Sequence, residues 1–345
     1  MSDKRDPCGC PLSQRDTVLF VSKVYNERSP VLSPIEAEER FNGLDVALWR
    51  DLEGVFPVRV TRSWSDRVDD PSDPLGRQVF PVASELEGHA GDIPDPVGEE
   101  QKMPVPWVVR KHEDRALLLV TRRCHLHCRY CFRRDLDGAG GPTPEELEKA
   151  ITYLRSSGVR EVILSGGDPL FLKDEQLTQI IEWLRPAIPL IRIHTRAPIT
   201  YPSRVSAKLV KQLSSHAPLW VVVHVNHPKE LSTEVCEGLG RFVDAGIPVL
   251  NQSVLLRGVN DDVDTLTALS ERLLELRVRP YYLHHPDAVP GSSSFWVGLE
   301  EGLELYQALR GRVSGIGLPQ YVIDPPDGTG KIPVAEWVAR SVSSA

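Results

Sequence analysis

No apolar run in this 345-residue chain approaches the roughly 18 to 20 residues that span a bilayer. The N-terminus, MSDKRDPCGCPLSQRDTVLFV, has only a short apolar patch at residues 17–21 and lacks a signal-peptide core. No membrane role is expected, and a cytoplasmic location follows by default. Cysteine is scarce. The six residues Cys8, Cys10, Cys124, Cys128, Cys131 and Cys236 are too few for a disulfide scaffold and are grouped as ligands are. Positive charge is also short: 40 Lys and Arg against 48 Asp and Glu, net -8, argue against general nucleic-acid binding. No low-complexity tract is long enough to imply disorder. What remains is ordinary globular usage, 41% hydrophobic and 26% charged, on a chain long enough for one α/β barrel and a smaller appendage.

Residues 1–110 are rich in Pro, Asp and Gly, with helices expected near 34–41 and 44–52. They read as a helical, loop-rich extension. From residue 116 short apolar, β-branched runs recur: ALLLVT, EVILS, LIRIHT, LWVVVHV, PVLNQSVLL and VRPYYLH. After the first interval their starts fall about 30 residues apart, with helix-like segments between. In TPEELEKAITYLRSS, Thr143 can cap, Pro144 suits the first helical position, Glu146 completes a capping box, and Leu147, Ile151 and Leu154 share a face. Six strand–helix units in series imply a parallel sheet with right-handed crossovers, covered on both sides where strands such as WVVV are continuously apolar. The expected fold is α/β, a (β/α)6-type partial TIM barrel over residues 111–315. A C-terminal segment, 316–345, follows it. The chemistry of such a barrel lies at the C-terminal strand ends.

Residues 122–134, RRCHLHCRYCFRR, follow the first strand and place Cys124, Cys128 and Cys131 at a CxxxCxxC spacing with no fourth cysteine nearby. A [4Fe-4S] cube normally takes four thiolates, so a loop offering three leaves one iron open. Zinc would want four ligands, which His125, His127, Cys8 and Cys10 could complete. Cys236 stands alone in a predicted helix and reads as buried core.

The triad with Tyr130 before its last cysteine, and the glycine-rich SGGDP after the second strand, resemble the radical S-adenosylmethionine superfamily. The resemblance implies that the open iron binds S-adenosylmethionine and that Ser165, Gly166, Gly167 and Asp168 lie at its methionine amino group. Near the C-terminus, IDPPDGTGKIPV fails as a phosphate loop, because Pro325 and Ile332 replace required residues. Lys331, after flexible glycines, can reach inward and form a Schiff base; on local sequence alone a surface turn lysine is the commoner reading. The chain from about residue 55 to 333 resembles the lysine 2,3-aminomutase family, through SWSDR, RALLLVTRRC, CRYCFRR, LSGGDPL, IRIHTRAP, HVNHP, NQSVLLRGVND and RPYYLH.

That resemblance implies a pyridoxal 5′-phosphate enzyme, an isomerase that moves the α-amino group of L-lysine to C3 by means of a 5′-deoxyadenosyl radical. Lys331 matches the pyridoxal-phosphate lysine and Arg133 the arginine for the substrate carboxylate. Asp287 and Asp324 match the aspartates that hold the distal ammonium. Arg115 matches an arginine near the cofactor phosphate, and His224 and Gln252 match positions near S-adenosylmethionine. A free amino acid and an external one-electron reductant are the implied partners. Glutamate or arginine are alternative substrates; a non-catalytic iron–sulfur or zinc protein is the alternative from another class. SWSDRVDDPSDPLGRQV and YYLHHPDAV resemble the short bacterial branch that makes β-lysine for elongation factor P. The chain lacks the cysteine-rich tail by which longer relatives bind zinc between subunits, and Asp262 stands at the matching inner position. No structural zinc is therefore expected, and a homo-oligomer is left open.

Overall fold

The computed structural model describes residues 30–134 and 140–343. Cys8 and Cys10, and any metal or redox role for them, lie outside these residues. The extension contributes helices α1 (Pro34–Arg40), α2 (Val46–Asp51) and α3 (Arg62–Ser65), where the pattern places two of them. Ser33, Asp45 and Thr61 cap them, each accepting a backbone N–H through its side chain. Trp49 and Trp64 from this part are fully buried in the same apolar cluster as the barrel strands. The extension is thus sealed onto the core.

One nine-stranded sheet runs in chain order. Strand β1 (Val108–Val109) lies antiparallel to β2 (Arg115–Thr121). Parallel neighbours follow: β3 (Glu161–Gly166), β4 (Leu190–Thr195), β5 (Leu219–His224), β6 (Val249–Val254), β7 (Arg279–His284) and β8 (Gln320–Ile323). Strand β9 (Ile332–Pro333) closes the order antiparallel to β8. The first and last strands do not pair, so the barrel is open. Strands β2–β7 stand where the six apolar runs place them. The seventh parallel strand and the two antiparallel edges are additions.

The helices that cover the sheet are α4 (Pro144–Ser156), α5 (Asp174–Leu184), α6 (Ala197–Thr200), α7 (Ala207–Ser214), α8 (Thr233–Asp244), α9 (Val263–Glu275), α10 (Leu299–Arg310) and α11 (Val334–Ser343). In α4 the expected capping box forms: Thr143 Oγ1 accepts from Glu146 N at 3.2 Å and Thr143 N donates to the Glu146 carboxylate at 2.8 Å. Leu147, Ile151 and Leu154 are buried, each worth about 1.5–3 kcal/mol of transfer free energy. Cys236 in α8 is half-buried against the core, less enclosed than expected.

One expectation needs correcting. The strands are not continuously apolar on both faces. In β4 and β6 burial alternates, with Arg192, His194, Leu250, Gln252 and Val254 on the less buried face. These side chains line a cavity of about 770 Å³ inside the open barrel. A cavity wall can carry polar side chains; a packed interior cannot.

Candidate active site

The cysteine loop follows β2 and is pinned from below by the extension. His127 N donates to Arg59 O and Arg129 N to Gln78 O, both at 2.9 Å. Glu85, fully buried, holds two arginines of the loop: Arg129 Nη2 and Arg134 Nη2 each stand 2.5 Å from its Oε2. Both loop histidines turn to backbone, with His127 Nδ1 at 2.8 Å from Pro57 O and His125 Nε2 at 3.4 Å from Leu170 O. They are not aimed at a metal with the cysteines. Among the described residues no three His, Cys, Asp or Glu side chains converge on one metal ion, as a single zinc with ligands within about 2.3 Å would require.

The three thiols are free and all line the cavity. Burial pushes the Cys124 thiol well up, with Asp168 and the other thiols adding to it. Burial, then Cys128, pushes Cys131 up to about 11. Buried thiols of this kind become thiolates when a metal supplies compensating charge. The donor set therefore fits three corners of an iron–sulfur cube.

The two glycines of SGGDP have a steric reason. Gly166 has φ +117, and a Cβ there would stand 2.3 Å from Thr121 O; at Gly167 it would stand 2.4 Å from Arg123 O. Gly167 N donates to Thr121 O at 2.7 Å and Asp168 N to Arg123 O at 2.8 Å. The end of β3 is thereby pressed against the segment that leads into Cys124. The Asp168 carboxylate accepts from Leu170 N, Thr195 Oγ1, Arg196 N and Ala197 N at 2.6–2.9 Å. Its side chain joins the ends of β3 and β4. Ser165 lies beside the cavity, at 3.3 Å from Arg133 Nη1.

His224 ends β5, with Nε2 2.9 Å from Tyr130 Oη. Burial, then Arg196, holds it well below the usual imidazole range, so it is neutral. Gln252 lines the same wall from β6. Arg133 is held by Glu99: Nε donates to Oε2 at 2.8 Å and Nη2 to Oε1 at 2.5 Å, while Nη1 lies 3.2 Å from Gly166 O.

Lys331 lines the same cavity, after the β8 turn and just before β9, with Nζ 3.0 Å from Asp324 Oδ2. Lys111 Nζ takes the other oxygen, Oδ1, at 3.1 Å and also donates to Val97 O. Burial works to raise Asp324, but Lys331 and Lys111 outweigh it and its carboxyl is lowered. Asp287, just past β7, is pushed up to about 7 by burial and then by Asp324. Gly330 has φ +90, and a Cβ there would lie 2.7 Å from the His112 ring. That glycine lets the Lys331 loop press against the segment before β2. Arg115 lies at the start of β2, paired at 3.0 Å with Asp114. With Arg279 at the start of β7 and Arg192 third in β4, it puts three guanidinium groups on the cavity lining, which also includes Tyr281 and Tyr282. Guanidinium forks suit a phosphate, and a lysine lies within the same cavity. These residues fit a pyridoxal phosphate.

All the residues expected from sequence meet in one cavity. Glu99 and Lys111 carried no expectation, and Arg192, His194, Arg196 and Arg279 were covered only as part of the segments IRIHTRAP and RPYYLH. A period-2 polar signal in IRIHT marked Arg192 and His194; Glu99 and Lys111 carried no local signal. Among the described residues no helix is long and apolar enough to cross a membrane.

Comparison with known proteins gives the following. The Radical SAM superfamily matches residues 118–269. L-lysine 2,3-aminomutase of Clostridium subterminale is 42% identical over 271 residues, 77% of this chain and 65% of that protein. The Fusobacterium nucleatum protein of the same name is 38% identical over 284 residues, covering 80% of this chain and 67% of that one. That of Buchnera aphidicola is 37% identical over 288 residues, 81% and 85% respectively. The chain spans just under two thirds of the first of these relatives.

Proposed function

The chain belongs to the L-lysine 2,3-aminomutase family within the radical SAM superfamily, and from that premise we propose that it is an aminomutase converting L-lysine to β-lysine. One observation carries the reading: a single cavity is lined by the three-cysteine loop and also by Lys331 with two aspartates. When bound, a [4Fe-4S] cluster with S-adenosylmethionine supplies a 5′-deoxyadenosyl radical, and pyridoxal phosphate supplies a carrier for the migrating amino group.

Cys124, Cys128 and Cys131 would hold the cluster. Ser165, Gly166 and Gly167, with His224 and Gln252, would line the S-adenosylmethionine side. Asp168 would act by holding the β3 and β4 ends in register. Lys331 would hold pyridoxal phosphate, with Arg115, Arg192 and Arg279 at its phosphate. Arg133 would take the substrate carboxylate once Glu99 yields it. Asp287 and Asp324 would take the distal ammonium. With Lys331 engaged by the cofactor, Lys111 offsets Asp324, and Asp287, once ionised above about pH 7, leaves about one net negative charge for one ammonium. An anionic side chain such as that of glutamate would meet two carboxylates in an enclosed pocket. A cluster held by these three cysteines would need an external one-electron reductant.

The test is turnover of the anaerobically purified chain with dithionite, S-adenosylmethionine, pyridoxal phosphate and a panel of amino acids. β-Lysine is the expected product, and borohydride should fix a pyridoxyl group on Lys331. Conversion of glutamate or arginine in preference to lysine would overturn the substrate. No β-amino product from any amino acid would overturn the function.

A further inference from the structure

Arg196 follows β4 with its side chain turned away from solvent and only 9% exposed. Its Nη1 donates to Cys128 Sγ at 2.7 Å. Nη2 donates to Gln78 Oε1 at 2.6 Å and to Glu230 Oε2 at 3.2 Å. The guanidinium lies 4.8 Å from the Trp64 ring centroid and 5.6 Å from that of Tyr130. Its backbone N–H donates to Asp168. Glu230 is fully buried and is fixed in turn by Gln78 Nε2, Asn226 N and His227 N at 3.0–3.1 Å. A buried ion pair of this kind is often no more stabilising than apolar side chains of the same volume. Filling space does not require a cation here. What a cation adds is positive charge at one cysteine sulfur.

Hydrogen bonds to the sulfurs, and burial, set the reduction potential of an iron–sulfur cluster. We propose that Arg196 is a positioning residue for electron uptake: it fixes a positive charge on the Cys128 sulfur, so that the cluster held by the triad accepts its electron at a less negative potential. The step is one electron. The external reductant is oxidised by one, the cluster passes from the 2+ to the 1+ core state, and no bond or proton is exchanged. Glu230 opposes Arg196, since its carboxylate cancels part of the same charge. The proposal rests on the cluster reading above.

Its test is a mediated redox titration, followed by the electron paramagnetic resonance of the reduced cluster, on anaerobically reconstituted full chain with iron and sulfide quantified first. In R196Q the ratio of reduced to oxidised cluster at a fixed potential should fall about tenfold, a shift of about 59 mV to more negative potential for a one-electron couple. In E230Q, which keeps an acceptor for Gln78 and Asn226, the potential should move the opposite way. A merely structural pair would give no shift with a full cluster, or shifts of the same sign in both variants; either result overturns the proposal. Should R196Q fail to assemble a cluster, E230Q decides alone, and an unchanged or more negative potential there overturns it. A wild-type chain that assembles no cluster sinks this proposal together with the reading beneath it.

Discussion

Replacing Glu99 by glutamine changes the competition for Arg133. In the structure the Nε and Nη2 edge of that guanidinium is taken by Glu99 at 2.8 and 2.5 Å, and Nη1 faces Ser165 Oγ and Gly166 O at 3.3 and 3.2 Å. No bidentate edge is left for a substrate carboxylate. Both partners are 12% exposed, so the pair is only weakly screened. Hydrogen bonds to charged groups contribute about 1.5–3 kcal/mol net, and an incoming carboxylate must offset this before it gains anything of its own. At 1.4 kcal/mol per decade, removing the internal competitor should tighten substrate binding about 10- to 150-fold. The assay is the KM for L-lysine in anaerobic turnover, with kcat measured alongside. E99Q should lower KM by at least about tenfold and leave kcat within a few-fold of wild type. A KM that is unchanged or raised would refute the reasoning, because Arg133 would then be either held in working position by Glu99 or not the carboxylate's partner.

Three further outcomes are expected. Asp287 titrates at 3.8 in the unfolded chain and at about 7 in the fold, so between these values the folded state holds the extra proton. Stability from this group is therefore complete below 3.8 and is lost as pH rises through about 7, whereas affinity for a cationic amino acid rises over the same approach to 7; a KM–pH profile from 6 to 8 should fall with pH in wild type and flatten in D287N, and equal slopes would remove Asp287 from the ammonium site. E85Q leaves Arg129 and Arg134 short of a buried counter-charge, at a cost of about 3–5 kcal/mol for breaking a buried pair; thermal unfolding should shift down and iron retention should fall with it, and a wild-type melting curve would contradict the role given to Glu85. G167A puts a methyl 2.4 Å from Arg123 O, so the segment entering Cys124 must move: iron per chain should drop while far-ultraviolet circular dichroism is retained, and full iron occupancy would show that the close approach is dispensable.

What could be read in sequence was local or periodic. The spacing of the apolar runs marks β2–β7, because each strand needs its own helix to return parallel. The start of α4 was legible because Thr143, Pro144 and Glu146 form a cap within four residues. The cysteine triad was legible because one short loop carries all of it. That Lys331, Asp287 and Asp324 share one cavity was expected only by resemblance, since a lysine after glycines or an aspartate beside prolines has no chemistry until the barrel places it. Glu99 could not be found. It lies in a Pro-rich stretch 34 residues before Arg133, and only the fold of the extension over the cavity brings them together. Lys111 and Asp324 are 213 residues apart, and Arg196 and Cys128 are 68 apart. The polar inner face of β4 was present in IRIHT as alternation, but the expectation of a sheet buried on both faces concealed it.

The central claim is that the polypeptide ligates three irons of a four-iron cluster and leaves the last for S-adenosylmethionine. Mössbauer spectroscopy of the iron-57 reconstituted chain, with and without S-adenosylmethionine, tests it most directly. The account predicts that about one quarter of the iron changes its isomer shift and quadrupole splitting when S-adenosylmethionine is added, and that the C128A variant loses the cluster. A spectrum in which no iron responds to S-adenosylmethionine, or a chain that takes up zinc and no iron, would contradict it.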